Sequence, residues 1–177
     1  MGDAGGITTN DAALADKARV LRNVGSSAKY HHQLAGYNSR LDTLQAVVLS
    51  SKLPYLNEWN NERKQIAARY RNNLKECSHV ILPGLTEGAE HVYHLFVIRH
   101  QQRDKLQQYL LQQGIQTLIH YPIPPHLQPA LANLGYKAGD FPFTEELAKT
   151  CLSLPLFIGM ATEQIDLVSE KIISFGQ

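Results

Sequence analysis

Asn38 and Arg40 stand two residues apart in the polar stretch Gly36-Tyr37-Asn38-Ser39-Arg40-Leu41, which runs directly into a helix start at Asp42. A helix start offers unpaired backbone N–H groups and a positive dipole end. The Asn38 amide and Arg40 guanidinium add side-chain donors suited to phosphate or carboxylate. Both residues also have plainer uses, since asparagine turns a chain and arginine pairs with a nearby acid. His31 and His32 are adjacent and point in different directions, so at most one of them reaches a given site. His120 and Tyr121 close an apolar run just before Pro122 and Pro124. They are either held at the end of a strand for a ligand or buried as ordinary packing. Eight histidines raise the question of a metal, but the spacing gives it no support. His91 and His94 are three apart on an expected strand and would face opposite sides, with no cysteine beside them. The Gly2–Gly6 cluster lacks the spacing of a dinucleotide fingerprint and the Lys-Ser/Thr pair of a phosphate loop.

The elements that would position these groups follow from punctuation and periodicity. Gly5 to Thr9 reads as a short buried strand. Asn10-Asp11 then caps a helix with Leu14, Ala18 and Leu21 on one face, ended by Asn23-Val24-Gly25. Ser26 to Ser39 reads as a long loop, long enough to be functional or packed against a partner. Asp42 with Gln45 reads as a capping box opening a helix that Pro54 interrupts or kinks. Beyond Pro54, a stripe of Leu56, Trp59, Ile66, Tyr70 and Leu74 continues to about Glu76. Strands are expected at Val80–Leu82, Val92–Arg99 and Ile115–Tyr121, and a helix from Asp104 with Gln107 that Gly114 closes. Pro122 to Pro129 reads as a rigid extended loop, followed by short helices at Leu127–Leu134, Thr144–Cys151 and Thr162–Phe175. The order describes an α/β sandwich with a sheet covered on one side.

Composition narrows the function classes. The 177 residues carry a net charge of +1 with 19% charged residues. Lysines and arginines are interspersed with acids, which disfavours nucleic acid as a partner. A chain of this length buries roughly 70% of its unfolded surface, a sufficient core. Cys77 and Cys151 are far apart and outside any metal or redox spacing, which suits buried thiols and a reducing cytoplasm. No uninterrupted apolar stretch is long enough to span a bilayer, and no basic region with an apolar run opens the chain. Met1-Gly2 is not a myristoylation signal, because Gly6 stands where Ser or Thr is required.

A set of short motifs occurs in one order along the chain: Gly2-Asp3-Ala4-Gly5, Thr8-Thr9-Asn10-Asp11, Leu21-Arg22-Asn23-Val24-Gly25, Lys29-Tyr30-His31-His32, Gly36-Tyr37-Asn38-Ser39-Arg40 and His120-Tyr121-Pro122-Ile123-Pro124. His94 to Arg99, His126-Leu127-Gln128-Pro129, Leu134-Gly135-Tyr136 and Leu152-Ser153-Leu154-Pro155 continue it. Together they resemble the pyridoxal-phosphate-dependent sugar aminotransferases of the DegT/DnrJ/StrS type across essentially all 177 residues.

The resemblance implies the C-terminal part of an aspartate-aminotransferase-like (fold type I) enzyme. Residues 1–41 would be a remnant of the large cofactor-binding domain, and residues 42–177 a connecting helix and the small domain. Asn38 would reach across a dimer interface to the cofactor phosphate of the neighbouring subunit. His32, from the spacing His-x-x-x-Gly-x-Asn, and Arg40 would contact substrate or the interface, and His120 and Tyr121 would line the sugar end. The implied reaction moves an amino group, commonly from glutamate, to a keto group of a nucleotide-linked deoxysugar, with an inclination to 3-keto sugars. In that family the Schiff-base lysine lies a few residues before the Gly-Asp-Ala-Gly turn, so it falls ahead of Met1. None of Lys17, Lys29 and Lys52 takes its place. The expectation is therefore a C-terminal portion, from a shortened chain or a split or decayed gene, inactive alone. The alternatives are a non-catalytic dimerisation or regulatory module, or a pseudo-enzyme subunit lending Asn38 to a complete partner. A strand and helix severed from their sheet would self-associate as a homodimer or larger assembly to cover exposed apolar surface.

Overall fold

The computed structural model describes residues 3–175. Met1 and Gly2, and with them the start of the Gly2–Gly5 turn, lie outside the described residues. The chain divides into two compact units, residues 1–56 and 57–177.

In the first unit, α1 (Ala12–Arg22) begins where the sequence places it. Asp11 is the N-cap, and its carboxylate accepts from the Ala13 and Leu14 amides at 2.8 and 3.1 Å. Gly5 to Thr9 is not a strand: it is exposed and pairs with no other described segment. Ser26 to Ser39 differs from the expected loop in the other direction. Ser26–Ala28 (β1) and His31–His32 (β2) form an antiparallel pair, and Asn23 bridges Asn38. The cause is a close backbone approach at two glycines. A Cβ on Gly36 would stand 2.1 Å from the Gly25 amide nitrogen, and one on Gly25 would stand 1.7 Å from the Leu34 carbonyl oxygen. α2 (Thr43–Lys52) starts after Asp42, but Asp42 makes no side-chain cap bond, so the capping box is not formed. Neither α1 nor α2 buries a residue, and Leu14, Leu44, Val47, Leu49 and Leu53 are exposed. A one-turn 3₁₀ segment at Leu53–Tyr55 carries Pro54, which has no amide to continue the ladder.

The second unit holds the core. α3 (Leu56–Leu74) begins at the division and buries Ile66, Ala67, Tyr70 and Leu74. β3 is Phe96–Arg99, shorter than expected. It is followed by α4 (Arg103–Gln112), α5 (Pro142–Thr150), β4 (Cys151–Leu154) and α6 (Thr162–Phe175). α4 starts at Arg103 rather than Asp104, and Gln107 does not reach back to a cap; it donates to the Thr117 carbonyl at 3.1 Å. Gly114, at φ +77°, takes the left-handed turn that ends the helix.

β3 and β4 are antiparallel, pairing Phe96 with Leu154, Val97 with Ser153, Ile98 with Leu152 and Arg99 with Cys151. The expected strands at Val80–Leu82 and Ile115–Tyr121 shrink to single bridges, Ile81 to Arg99 and Leu118 to Ser153. Side chains alternate across a sheet, so Phe96, Ile98, Leu152 and Leu154 face one way and join α3, α4 and α6 in the hydrophobic core. Tyr70 is fully buried there. Its ring stacks on Phe96 at 5.1 Å and its hydroxyl donates to the Pro155 carbonyl at 2.9 Å. Val97 and Cys151 join Leu147 and Ala148 of α5 around a cavity on the opposite side, so the sheet is covered on both faces.

Polar contacts tie the edges down. Arg69 grips Asp166 with two bonds of 2.7 and 2.6 Å, and Asn73 adds a third at 2.8 Å. These donors pull the Asp166 carboxyl down to about 2. Arg103 is buried and donates to the Ala148 and Cys151 carbonyls where α5 passes into β4.

Candidate functional site

The first unit gathers Asn38, Arg40 and His32 around Asn23. The Val24 amide donates to the Tyr37 carbonyl at 2.9 Å, and the Ser39 amide to the Arg22 carbonyl at 2.9 Å. These bonds lay the Gly36–Arg40 segment against the end of α1. The Asn23 side chain works in both directions. Its Oδ1 accepts from Arg40 Nε at 2.8 Å, and its Nδ2 donates to the Ser26 carbonyl at 3.4 Å. His32 Nδ1 lies 3.0 Å from the Val24 carbonyl oxygen, so the ring donates there as its N–H form. An open depression of about 560 Å³ is lined by Asn23, Ser26, Lys29, Tyr30, His32 and Arg40. Lys29 sits 5.1 Å from the centre of the Tyr30 ring.

Arg40 also borders a wider hollow of about 810 Å³ with Gly5, Gly6, Thr8, Arg19 and Arg22. Arg19 is paired with Asp16 at 2.6 Å. The Asn38 side chain is exposed and makes no hydrogen bond to another described residue. An amide with both N–H donors unspent, next to a guanidinium held only through Nε, is a donor set for an anionic oxygen. Asn38 is not sealed within the unit, so it is open to a group brought from outside it.

His120 and Tyr121 belong to the second unit. His120 Nδ1 is 2.9 Å from Ser153 Oγ, and the peptide bond between His120 and Tyr121 is cis. Both residues line the cavity of about 260 Å³ below α5, with Val97, Ile123, Pro124 and Cys151. Tyr121 is exposed and Ser153 is buried. The loop that follows is held by Glu145, which accepts from the Gly139 amide at 2.8 Å and pairs with His126 at 3.1 Å. Backbone and ring donors keep the Glu145 carboxyl below its usual range.

Sequence reasoning missed two residues here. Asn23 reads in sequence as a helix end, although the Leu21–Gly25 motif contains it. Ser153 lies in a segment whose four residues are all buried, with no alternation to mark a strand. Among the described residues no three of His, Cys, Asp or Glu gather as a metal group, and no helix is long and apolar enough to cross a membrane.

The sequence pattern of the DegT/DnrJ/EryC1/StrS aminotransferase family matches residues 1–173. A pleiotropic regulatory protein of Geobacillus stearothermophilus is 48% identical over 98% of this chain and 47% of its own length. The dTDP-3-amino-3,6-dideoxy-alpha-D-galactopyranose transaminase of Aneurinibacillus thermoaerophilus is 46% identical over 97% of this chain and 47% of its own. Among solved structures, DesV of S. venezuelae in complex with a ketimine intermediate superposes with a TM-score of 0.91. It is 39% identical, over 96% of this chain and 46% of that one. NtdA of Bacillus subtilis, solved with bound cofactor PMP, superposes with a TM-score of 0.83 at 30% identity over 94% of this chain and 40% of that one. The chain thus spans about half the length of the relatives it matches.

Proposed function

From the premise that this chain belongs to the DegT/DnrJ/EryC1/StrS aminotransferase family, we propose that it forms the C-terminal part of a sugar-nucleotide aminotransferase. The whole enzyme would move an amino group from a donor, glutamate by family resemblance, to a keto-deoxysugar nucleotide. The observation that supports this best is Asn38: an exposed amide, placed by the Asn23 bridge and with no described partner, beside an arginine whose outer N–H groups remain available. That donor set fits the phosphate of pyridoxal 5′-phosphate. When bound, the cofactor supplies the electron sink for amino transfer.

The roles of this chain's own residues follow from their positions. Asn38 donates to a phosphate oxygen, and Arg40, steadied by Asn23, adds positive charge without becoming free to swing away. His32 is held by the Val24 carbonyl, which leaves its other ring nitrogen for a substrate or interface contact. His120 and Tyr121 line the sugar end, and the rigid prolines after them hold that wall in place. The exposed apolar residues of α1 and α2 are covered by further protein, another copy of the same polypeptide or the rest of the large domain. We assign the covalent step to a lysine outside these 177 residues, so this chain by itself does not turn over.

The test mixes this chain with a separately expressed large-domain segment of a relative that carries the lysine, then supplies pyridoxal phosphate, glutamate and a 3-keto dTDP-sugar. The proposal expects 2-oxoglutarate and amino sugar only from the mixture, with loss in Asn38→Ala. Transamination by this chain alone, or a mixture indifferent to Asn38, would refute it.

A further inference from the structure

Among the described residues, Ser153 is the one point where β4 is paired on both sides. It lies opposite Val97 of β3 and exchanges two backbone bonds with Leu118, of 2.7 and 3.2 Å. Its position along the strand turns its hydroxyl away from the core that Leu152 and Leu154 enter, towards His120. The residue is only 4% exposed. The contact to His120 Nδ1 at 2.9 Å is its one side-chain hydrogen bond among the described residues.

A hydroxyl carries one proton and two lone pairs, whereas a neutral imidazole carries a proton on one ring nitrogen and a lone pair on the other. If His120 held its proton on Nδ1, Ser153 would have to accept. Its own O–H would then be buried with no acceptor. If Ser153 donates to a bare Nδ1, both groups are satisfied, and the imidazole proton must be on Nε2. We infer that Ser153 is a positioning residue that fixes His120 as the Nε2–H tautomer. The cavity below α5 is thereby furnished with a hydrogen-bond donor rather than a base.

The inference rests on the proposed placement of His120 at the sugar end and adds what that placement means. His120 would recognise an acceptor oxygen of the substrate and would not remove a proton. Apart from the hydroxyls of Tyr121 and Thr144, the rest of the lining is apolar or weakly polar, Val97, Ile123, Leu147 and Cys151 among it. Beside two hydroxyls that can rotate, a ring N–H fixed in direction discriminates by geometry.

The experiment is ¹⁵N NMR of this chain with labelled histidine, above neutral pH, with the His120 signals assigned by their loss in His120→Asn. The expected result is a bare Nδ1 and a protonated Nε2 in the unaltered chain. Ser153→Ala should release the ring to a mixture of the two tautomers, and Ser153→Thr, which keeps the hydroxyl, should restore the single form. A protonated Nδ1 in the unaltered chain overturns the inference, as does a Ser153→Ala spectrum still showing only Nε2–H. If the alanine variant does not fold, the spectrum of the unaltered chain decides alone. The tautomer is read without substrate, so it stands or falls separately from the sugar-site reading. That reading fails if His120→Asn leaves the KM for the sugar nucleotide unchanged in the reconstituted enzyme.

Discussion

Gly36→Ala should dismantle the segment that presents Asn38 while leaving the second unit intact. The added Cβ would stand 2.1 Å from the Gly25 nitrogen, 2.6 Å from the Leu21 carbonyl oxygen and 2.7 Å from the Val24 carbonyl carbon. All three are backbone atoms, so no side chain can move aside. Ordinary contact begins near 3.4 Å, so the two backbone segments must part by about 1.3 Å. That separation takes the Val24-to-Tyr37 bond from 2.9 Å to beyond 4 Å, past any hydrogen bond. The bonds from Tyr37 to Leu21 and from Ser39 to Arg22 share the same approach. Three backbone bonds at about 0.5–1.5 kcal/mol each put the local loss at roughly 1.5–4.5 kcal/mol, enough to open the segment. Amide hydrogen exchange gives the readout: Val24, Tyr37 and Ser39 should lose their protection, and the core amides of α3 and α6 should keep theirs. Gly84→Ala is the control, because nothing lies within 4 Å of its added Cβ. Undiminished protection at Val24 and Ser39 in Gly36→Ala would refute the reasoning.

Two further outcomes concern the second unit. Tyr70→Phe removes the bond to the Pro155 carbonyl and should cost about 1 kcal/mol in urea unfolding, whereas Tyr70→Ala also empties the space beside Phe96 and should cost about 3–5 kcal/mol. Asp166 has its carboxyl pKa depressed from 3.8 to about 2 by Arg69 and Asn73. Its stabilising contribution is therefore fully present above pH 4 and is lost as pH falls through about 2. Asp166→Asn should lower the melting temperature at pH 6, and the gap to the unaltered chain should close between pH 4 and pH 2; a gap independent of pH would contradict the assignment.

Much of this architecture is legible from residue types. α6 starts at Thr162 and ends at Phe175 as read, because Ile165, Val168 and Ile172 mark one face. α1 was legible from Asp11, whose carboxylate caps it. The strands were less so. Val80–Leu82 and Ile115–Tyr121 are apolar enough for strands, yet each finds a ladder partner at only one residue. β4 carries no alternating signal, because Cys151-Leu152-Ser153-Leu154 is buried on both faces and follows α5 without a break. The pairing around Asn38 depends on backbone atoms meeting at Gly25 and Gly36, which are eleven residues apart and belong to no periodic pattern. The motif residues Asn38, Arg40 and His32 do share one neighbourhood, organised by Asn23. That organiser was hidden because an asparagine at a helix end has an adequate local explanation.

The central claim is that the Asn38 amide serves the phosphate of a B6 cofactor. The most direct measurement is the affinity for pyridoxal 5′-phosphate of the chain reassembled with a lysine-bearing large-domain segment, Asn38→Ala against the unaltered form. A hydrogen bond to a charged oxygen contributes about 1.5–3 kcal/mol, so the substitution should weaken binding roughly 10- to 100-fold. Pyridoxal, which lacks the phosphate, should bind both forms alike. Equal affinity for pyridoxal 5′-phosphate with and without the Asn38 amide would contradict the account.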